Sequence, residues 1–429
     1  LFGYDWDGIA FKKLSRRWPQ LHAGFDLFSF PSNARLAWFD MERFSRLAAL
    51  RARLAGARGV VSNHEQFGAL CAALVAERTG WPGTPVEAVL ACQHKLHARE
   101  ILQRVAPEAN IPFERLDAAY NDDIPKGIDY PTFVKPVKAA FSVLAKPVGS
   151  RQELRAHTRF GFRELWVIKH LVEPFERIIQ QRLPEAGTAH SLMLEQCVRG
   201  RQYCLDGYCF AGDVRRLGIV DAVMYPGTDA FMRWDYPSCL PEPLQRQAEA
   251  IAARFLRAIG FDHGFFNMEV VVDEQSGQLK VIEFNPRMAA QFSDLYARVD
   301  GVNLHEMALA LSHGIDDGVA PVHQRAVGVE DDHLAFVHGS PTGVLAPAGL
   351  RIVQQIPQRP QDLVVLGEAA LGLLGKDQLA VGGHLEDAPA GSHQLDLDRA
   401  IVGAHGERCE MVGLGGPERR RQRALVEPA

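Results

Sequence analysis

The chain has 429 residues, 47% hydrophobic and 23% charged, with a formal net charge of −5, a composition that suits a globular protein of two or three compact units. That acidic balance, with residues 419–421 as the one basic run longer than a pair, excludes a general nucleic-acid binder. No apolar stretch reaches membrane-spanning length and no secretory leader is visible, while seven cysteines without zinc spacing read as buried thiols of a cytoplasmic protein. Leu1 in place of Met leaves room for an upstream segment.

Residues 1–92 read as an N-terminal α/β unit. Val60, Val61 and Ser62, entered from Gly59, predict a short buried strand, and 67–77 an apolar helix. The Pro82-Gly83-Thr84-Pro85 cluster then breaks the chain, and 90–105 predicts a helix carrying Lys95 and Arg99 on one face. A second unit is expected over 93–320. Its residues 130–137 predict a strand on which Pro136 holds Lys135 extended. The small loop Lys138-Ala139-Ala140-Phe141-Ser142 leads to a second strand at 143–146, then to a helical stretch over 151–184, so about 130–194 forms a small subdomain. Residues 191–198 predict another strand, and Gly200 and Gly207 punctuate two more that end near Phe210. Leu244, Ala248, Ile251, Phe255 and Ile259 recur at helical spacing before Gly260. Beyond Phe336 the chain has no aromatic residue. Residues 321–429 are therefore expected to be a loosely packed appendage without chemistry.

Residues 265–272 and 279–287 flank the turn-forming cluster 273–278 and predict a β-hairpin. If the hairpin is symmetric about Ser276, Glu269 lies opposite Glu283 and Asn267 opposite Asn285, sharing a face with Arg287. The other face pairs Val270 with Ile282 and Met268 with Phe284. Directly opposed carboxylates, with Cβ atoms about 5 Å apart, are destabilising unless something bridges them. Glu269, Glu283 and the amide oxygen of Asn285 are hard ligands suited to Mg²⁺ (or Mn²⁺), which usually keeps several waters and is completed by phosphate oxygens. Arg287 is placed to steady negative charge on a transferred group.

The ordered set Lys95, Lys135, Ser142, Glu195, Glu269 and Glu283-Phe284-Asn285-Pro286-Arg287 resembles the ATP-grasp ligases over residues 59–315. The resemblance implies an α/β (α+β) fold with an N-terminal parallel-sheet domain, a small lid subdomain and a C-terminal antiparallel-sheet core. It implies that Lys95 and Lys135 contact the phosphates of ATP, with Ser142 and Lys138 reaching them from a lid that here lacks glycine. Glu195, Gln196 and Val198 would form the adenine hinge, and Gln202 stands where many relatives carry a ribose-binding carboxylate. Glu269, Glu283 and Asn285 would hold Mg²⁺ or Mn²⁺, and Arg287 the carboxylate or acyl phosphate.

The implied activity is ADP-forming ligation of a small-molecule carboxylate to an amine or thiol through an acyl phosphate, with no nucleic-acid or membrane partner and a homodimer left open. The chain is similar both to amino-acid ligases and to biotin carboxylase. In the latter the metal strand continues into a Gln-Val-Glu-His stretch that handles bicarbonate, whereas here it continues Met288-Ala289-Ala290-Gln291-Phe292. ATP-dependent carboxylation remains an alternative, as does a nucleotide-binding regulatory protein that keeps the fold without turnover.

Overall fold

The computed structural model describes residues 5–27, 31–139, 144–228, 230–316 and 352–355. Before Phe113 these residues hold only helices and short 3-10 turns: α1 (Asp5–Leu14), α2 (Met41–Leu54), α3 (Gly68–Thr79), α4 (Val86–Gln93) and α5 (Lys95–Val105). The N-terminal parallel sheet expected from the sequence is not among them, and residues 60–62 belong to no strand. A strand needs a neighbour to satisfy its backbone N–H and C=O groups, and the described residues of this unit offer no second strand. The segment is held by its side chains instead, Val60 against Ala48, Ala49 and Val75, and Val61 against the core under the larger sheet.

The helix expected over 90–105 is divided at His94, whose backbone turns to φ −92°, ψ 91°. The His94 ring accepts the His97 N–H at 3.1 Å and so caps α5. Lys95 becomes the first residue of that helix, and its own N–H donates to the Val137 carbonyl at 3.0 Å. This bond fixes the start of α5 against the strand that carries Lys135.

Two antiparallel sheets follow. The smaller has four strands in the order β1-β4-β2-β3, formed by β1 (Phe113–Leu116), β2 (Thr132–Pro136), β3 (Lys146–Val148) and β4 (Leu192–Gln196). Between β3 and β4 the expected helical stretch is two helices, α6 (Arg151–His157) and α7 (Phe162–Arg182), separated before Gly161, which caps α7.

The larger sheet runs β10-β7-β6-β5-β8-β9. Its strands are β5 (Gly200–Phe210), β6 (Asp213–Met224), β7 (Phe231–Tyr236), β8 (Gly264–Asp273), β9 (Leu279–Asn285) and β10 (Ile352–Gln355). The two short strands expected before Phe210 are therefore one. Gly207 does not end it: a Cβ there would lie 2.4 Å from the Phe266 ring and 2.5 Å from the Arg215 carbonyl oxygen, so only glycine lets the neighbouring strands close up.

Helix α8 (Glu242–Ala258) buries Ala248, Ile251 and Phe255 of the expected series, with Ala252 and Leu256 beside them, while Leu244 and Ile259 are partly buried. Phe255 stacks on Phe284 of β9 with centroids 3.9 Å apart, which pins the back of the hairpin to the core. Helices α9 (Ser293–Asp300) and α10 (Leu304–Ser312) complete the described body. Cys71, Cys92, Cys204 and Cys209 are buried thiols, and burial pushes Cys71 up to about 12. Of the expected appendage only β10 is described, and no described helix is long and apolar enough to cross a membrane.

Candidate functional site

The hairpin of β8 and β9 pairs Asn267 with Asn285, Met268 with Phe284 and Glu269 with Glu283, as the sequence predicts. Past that point the register slips and Val270 faces Val281, so the expected Val270–Ile282 pair does not form. The reason lies on the free edge of β9. There Arg99 of α5 donates from Nη1 to the Val281 carbonyl at 2.6 Å and from Nη2 to the Ile282 carbonyl at 2.8 Å. Its Nε donates to Glu195 of β4 at 2.6 Å.

Arg99, only 2% exposed, thus ties one helix to both sheets. Replacing it by Met strands two edge carbonyls and leaves Glu195 with Lys135 alone. We expect Arg99→Met to cost about 3 kcal/mol of unfolding free energy, since removing one partner of a buried ion pair is strongly destabilising. Urea denaturation measures this, and a change within the roughly 0.5 kcal/mol of an ordinary surface substitution would refute it.

The two facing carboxylates are not equivalent. Burial disfavours charge on both, but at Glu283 the ion pair and hydrogen bond from Lys95 override it and hold the carboxyl below its usual range. At Glu269, burial and the opposed Glu283 charge push the carboxyl up. Glu269 is met by neutral amides, Gln202 Nε2 at 2.8 Å and Asn285 Nδ2 at 3.3 Å. Gln202, one strand over on β5, therefore sits beside the acidic pair.

Lys135 donates to Glu195 at 2.8 Å, next to Arg99. Burial works against the Glu195 charge, yet Arg99 and Lys135 hold its carboxyl down to about 2. Burial also pushes Lys135 and Lys138 down to about 8. The Lys138 ammonium rests 5.1 Å from the Phe175 ring centroid. In the expected hinge, the Glu195 carboxylate faces these cations, the Gln196 N–H is taken by the Pro112 carbonyl at 2.9 Å, and Val198 lies in the segment joining β4 to β5. Ser142 lies outside the described residues.

Arg287, just past β9, forms an ion pair with Glu65 of the loop before α3. Glu65 escaped the sequence reading, because nothing in its surroundings marks a single acidic residue before an apolar helix. Arg287 also borders a cavity of about 70 Å³, together with Asn63, Thr84, His263 and Ser312, which has room for water. Among the described residues no group of three or more His, Cys, Asp or Glu is placed to hold a metal ion. The set on the hairpin is two carboxylates and an amide.

Cationic and acidic side chains are thus gathered where helix α5 meets the two antiparallel sheets. Residues 128–294 match the family model for the ATP-grasp domain, and this part of the chain is an ATP-grasp domain. An L-amino acid ligase from Bacillus licheniformis superposes with a TM-score of 0.52 at 16% identity, covering 77% of this chain and 84% of that one. A biotin carboxylase from Campylobacter jejuni gives 0.47 at 17% identity over 63% and 58%. A phosphoribosylglycinamide synthetase from Anaerococcus prevotii gives 0.45 at 11% identity over 65% and 64%. At these identities the likeness is one of fold. No curated protein sequence matches the chain.

Proposed function

We propose that the protein is an ATP-dependent, ADP-forming ligase that joins a carboxylate to an amine through an acyl phosphate. The observation that carries this is the half-buried Glu269–Glu283 pair, in which Glu283 has a lysine partner, on a strand that runs into Arg287. The ATP-grasp domain and the fold shared with an L-amino acid ligase support it.

Glu269, Glu283 and Asn285 fit Mg²⁺ or Mn²⁺, because they are hard oxygen donors and burial leaves the Glu269 charge in need of compensation. Bound there, the cation would supply neutralisation of phosphate charge. Lys95, Lys135 and Lys138 would bind the phosphates of ATP, with Ser142 contributing from the lid. Glu195, Gln196 and Val198 would border the base, and Gln202 would steady Glu269. Arg287 would hold the carboxylate substrate, exchanging Glu65 for it. An oxygen of that carboxylate attacks the γ-phosphorus and ADP leaves. The amine then attacks the acyl carbon, phosphate leaves with the acyl C–O bond, and the amine proton passes to solvent.

A thiol nucleophile would follow the same course. Carboxylation is disfavoured because Met288, Ala289 and Ala290, which follow Arg287, are buried and offer no carboxylate for bicarbonate. A screen of carboxylate and amine pairs, following phosphate and ADP, tests the proposal. ADP formation that requires an amine supports it, a requirement for bicarbonate and biotin replaces it with carboxylation, and ATP binding without ADP in any combination makes the protein a non-catalytic nucleotide sensor.

The lysines give a separate expectation. Held down to about 8 by burial, Lys135 and Lys138 are partly neutral near pH 8, and a phosphate beside them favours the ammonium form. ATP binding at that pH is therefore accompanied by proton uptake, visible as a dependence of calorimetric enthalpy on buffer ionisation. Lys135→Ala should weaken ATP binding at least tenfold, about 1.5–3 kcal/mol for a lost charged hydrogen bond, and reduce the uptake. Unchanged affinity would leave Lys135 as the partner of Glu195 alone.

A further inference from the structure

The loop before α3 holds a carboxylate where the ligation of an amine needs a proton acceptor. An amine with an ordinary pKa of ~10 reaches the site as an ammonium ion, which has no lone pair with which to attack. It must first lose a proton close to the acyl carbon.

Glu65 is fixed there from both sides. Asn63 Nδ2 donates to Asp7 of α1 at 3.1 Å, Gln93 Nε2 at the end of α4 donates to the Glu65 carbonyl at 2.7 Å, and Gln66 Nε2 donates to the Leu171 carbonyl of α7 at 2.7 Å. The Glu65 side chain, 12% exposed, pairs with Arg287 Nε. Its charge also acts on Lys95, Lys138 and Glu269, so it lies close to the proposed phosphate and metal groups.

Two anions held by one guanidinium lie within about the width of that group. A substrate carboxyl on Arg287 is therefore next to Glu65. Because the loop is tied to α1, α4 and α7, exchange of the ion pair leaves the Glu65 carboxylate in place, mostly buried and short of a positive charge. An incoming ammonium supplies that charge. Glu269 and Glu283 belong to the proposed metal set, which leaves Glu65 for the amine.

We propose that Glu65 is the general base of the second half-reaction, binding the incoming ammonium beside Arg287 and taking one of its protons. The proposal rests on the ligase reading. In water such a transfer runs uphill, but in a mostly buried place the conversion of two charges into two neutral groups relieves their desolvation. The neutral nitrogen then attacks the acyl carbon, the C–N bond forms, the acyl C–O bond breaks and its electron pair leaves with phosphate. The second nitrogen proton passes to solvent, and Glu65 gives up its own there after the product departs. General-base catalysis typically contributes about 10²–10⁴-fold.

Hydroxylamine separates the half-reactions, because it is largely unprotonated at neutral pH and needs no base. With MgATP and each carboxylate of the screen, it gives a hydroxamate wherever an acyl phosphate forms. The readout is the ratio of amide from an amine to hydroxamate from hydroxylamine, for the same carboxylate. Glu65→Gln keeps the shape and an acceptor for Arg287, and it should lower that ratio about 10²–10⁴-fold. Glu65→Asp keeps a carboxylate and should retain most of the ratio. In the wild type, KM for total amine should stay level between about pH 6.5 and 7.5, because the ammonium is the form bound.

An unchanged ratio in Glu65→Gln overturns the proposal. That holds even if both products fall together, since Glu65 is then a structural partner of Arg287. A KM for total amine that falls about tenfold over that pH unit also overturns it, as the mark of a site that binds only neutral amine, and so does hydroxamate without amide from any amine. If Glu65→Gln does not fold, the pH series on the wild type still decides. If no carboxylate gives hydroxamate, the ligase reading itself is wrong and the role of Glu65 goes with it.

Discussion

Glu283→Ala is expected to abolish Mg²⁺-dependent ADP formation, a loss of at least about 10²–10³ in kcat, while the protein stays folded. Two consequences of the substitution oppose each other in the folded state. Lys95 loses its ion-pair partner, but Glu269 is freed from the facing charge that, with burial, pushes its carboxyl up. The Lys95 ammonium also feels the charges of Glu65 and Glu269, so it is not left among apolar groups. Stability should therefore change little, whereas the proposed metal set loses one of its two carboxylates. Phosphoryl transfer depends on positioning and charge neutralisation rather than on covalent help from the protein, so nothing else in the site can substitute. ADP release measured across a Mg²⁺ titration, with thermal melting alongside, checks both halves. Wild-type turnover by the folded variant would remove Glu283 from the metal set.

The hairpin that carries this site was legible because two patterns agree there: polar and apolar residues alternate, and the turn cluster is centred so that both faces pair sensibly. The bulge was not legible. Val281 and Ile282 are both apolar and satisfy either register, and the group that selects between them, Arg99, is 182 residues upstream. The same kind of distance hid Glu65, which lies 222 residues from Arg287 in the chain. Apolar periodicity continues across His94, so the break that brings Lys95 to the start of α5 left no mark in the pattern, although a histidine capping its own helix start is a local event. Gly207 stands between apolar runs as a turn glycine would, but its role is set by the Phe266 ring of the neighbouring strand. Val60 and Val61 have strand propensity, and propensity counts only where a sheet is available to receive it.

Arg287→Lys is expected to bind MgATP nearly as well as the wild type yet lose about 10²–10³ in kcat, as loss of one preorganised donor typically does. Lysine keeps the positive charge and can still pair with Glu65, so the charge balance beside α3 and the fold are preserved. What it cannot reproduce is the planar fork that grips a carboxylate or acyl phosphate through two parallel N–H bonds. The substitution thus separates charge from geometry, which an alanine would not do. Because Arg287 acts on Glu269 and Glu283 through its charge, which lysine keeps, and donates to Glu65, the proposed metal and phosphate groups should be undisturbed. The measurements are calorimetric MgATP titration and steady-state kinetics with the carboxylate substrate that the screen identifies. A parallel loss of ATP affinity would move Arg287 to the nucleotide. An unchanged kcat would make it a structural partner of Glu65, holding the loop before α3 against the end of β9.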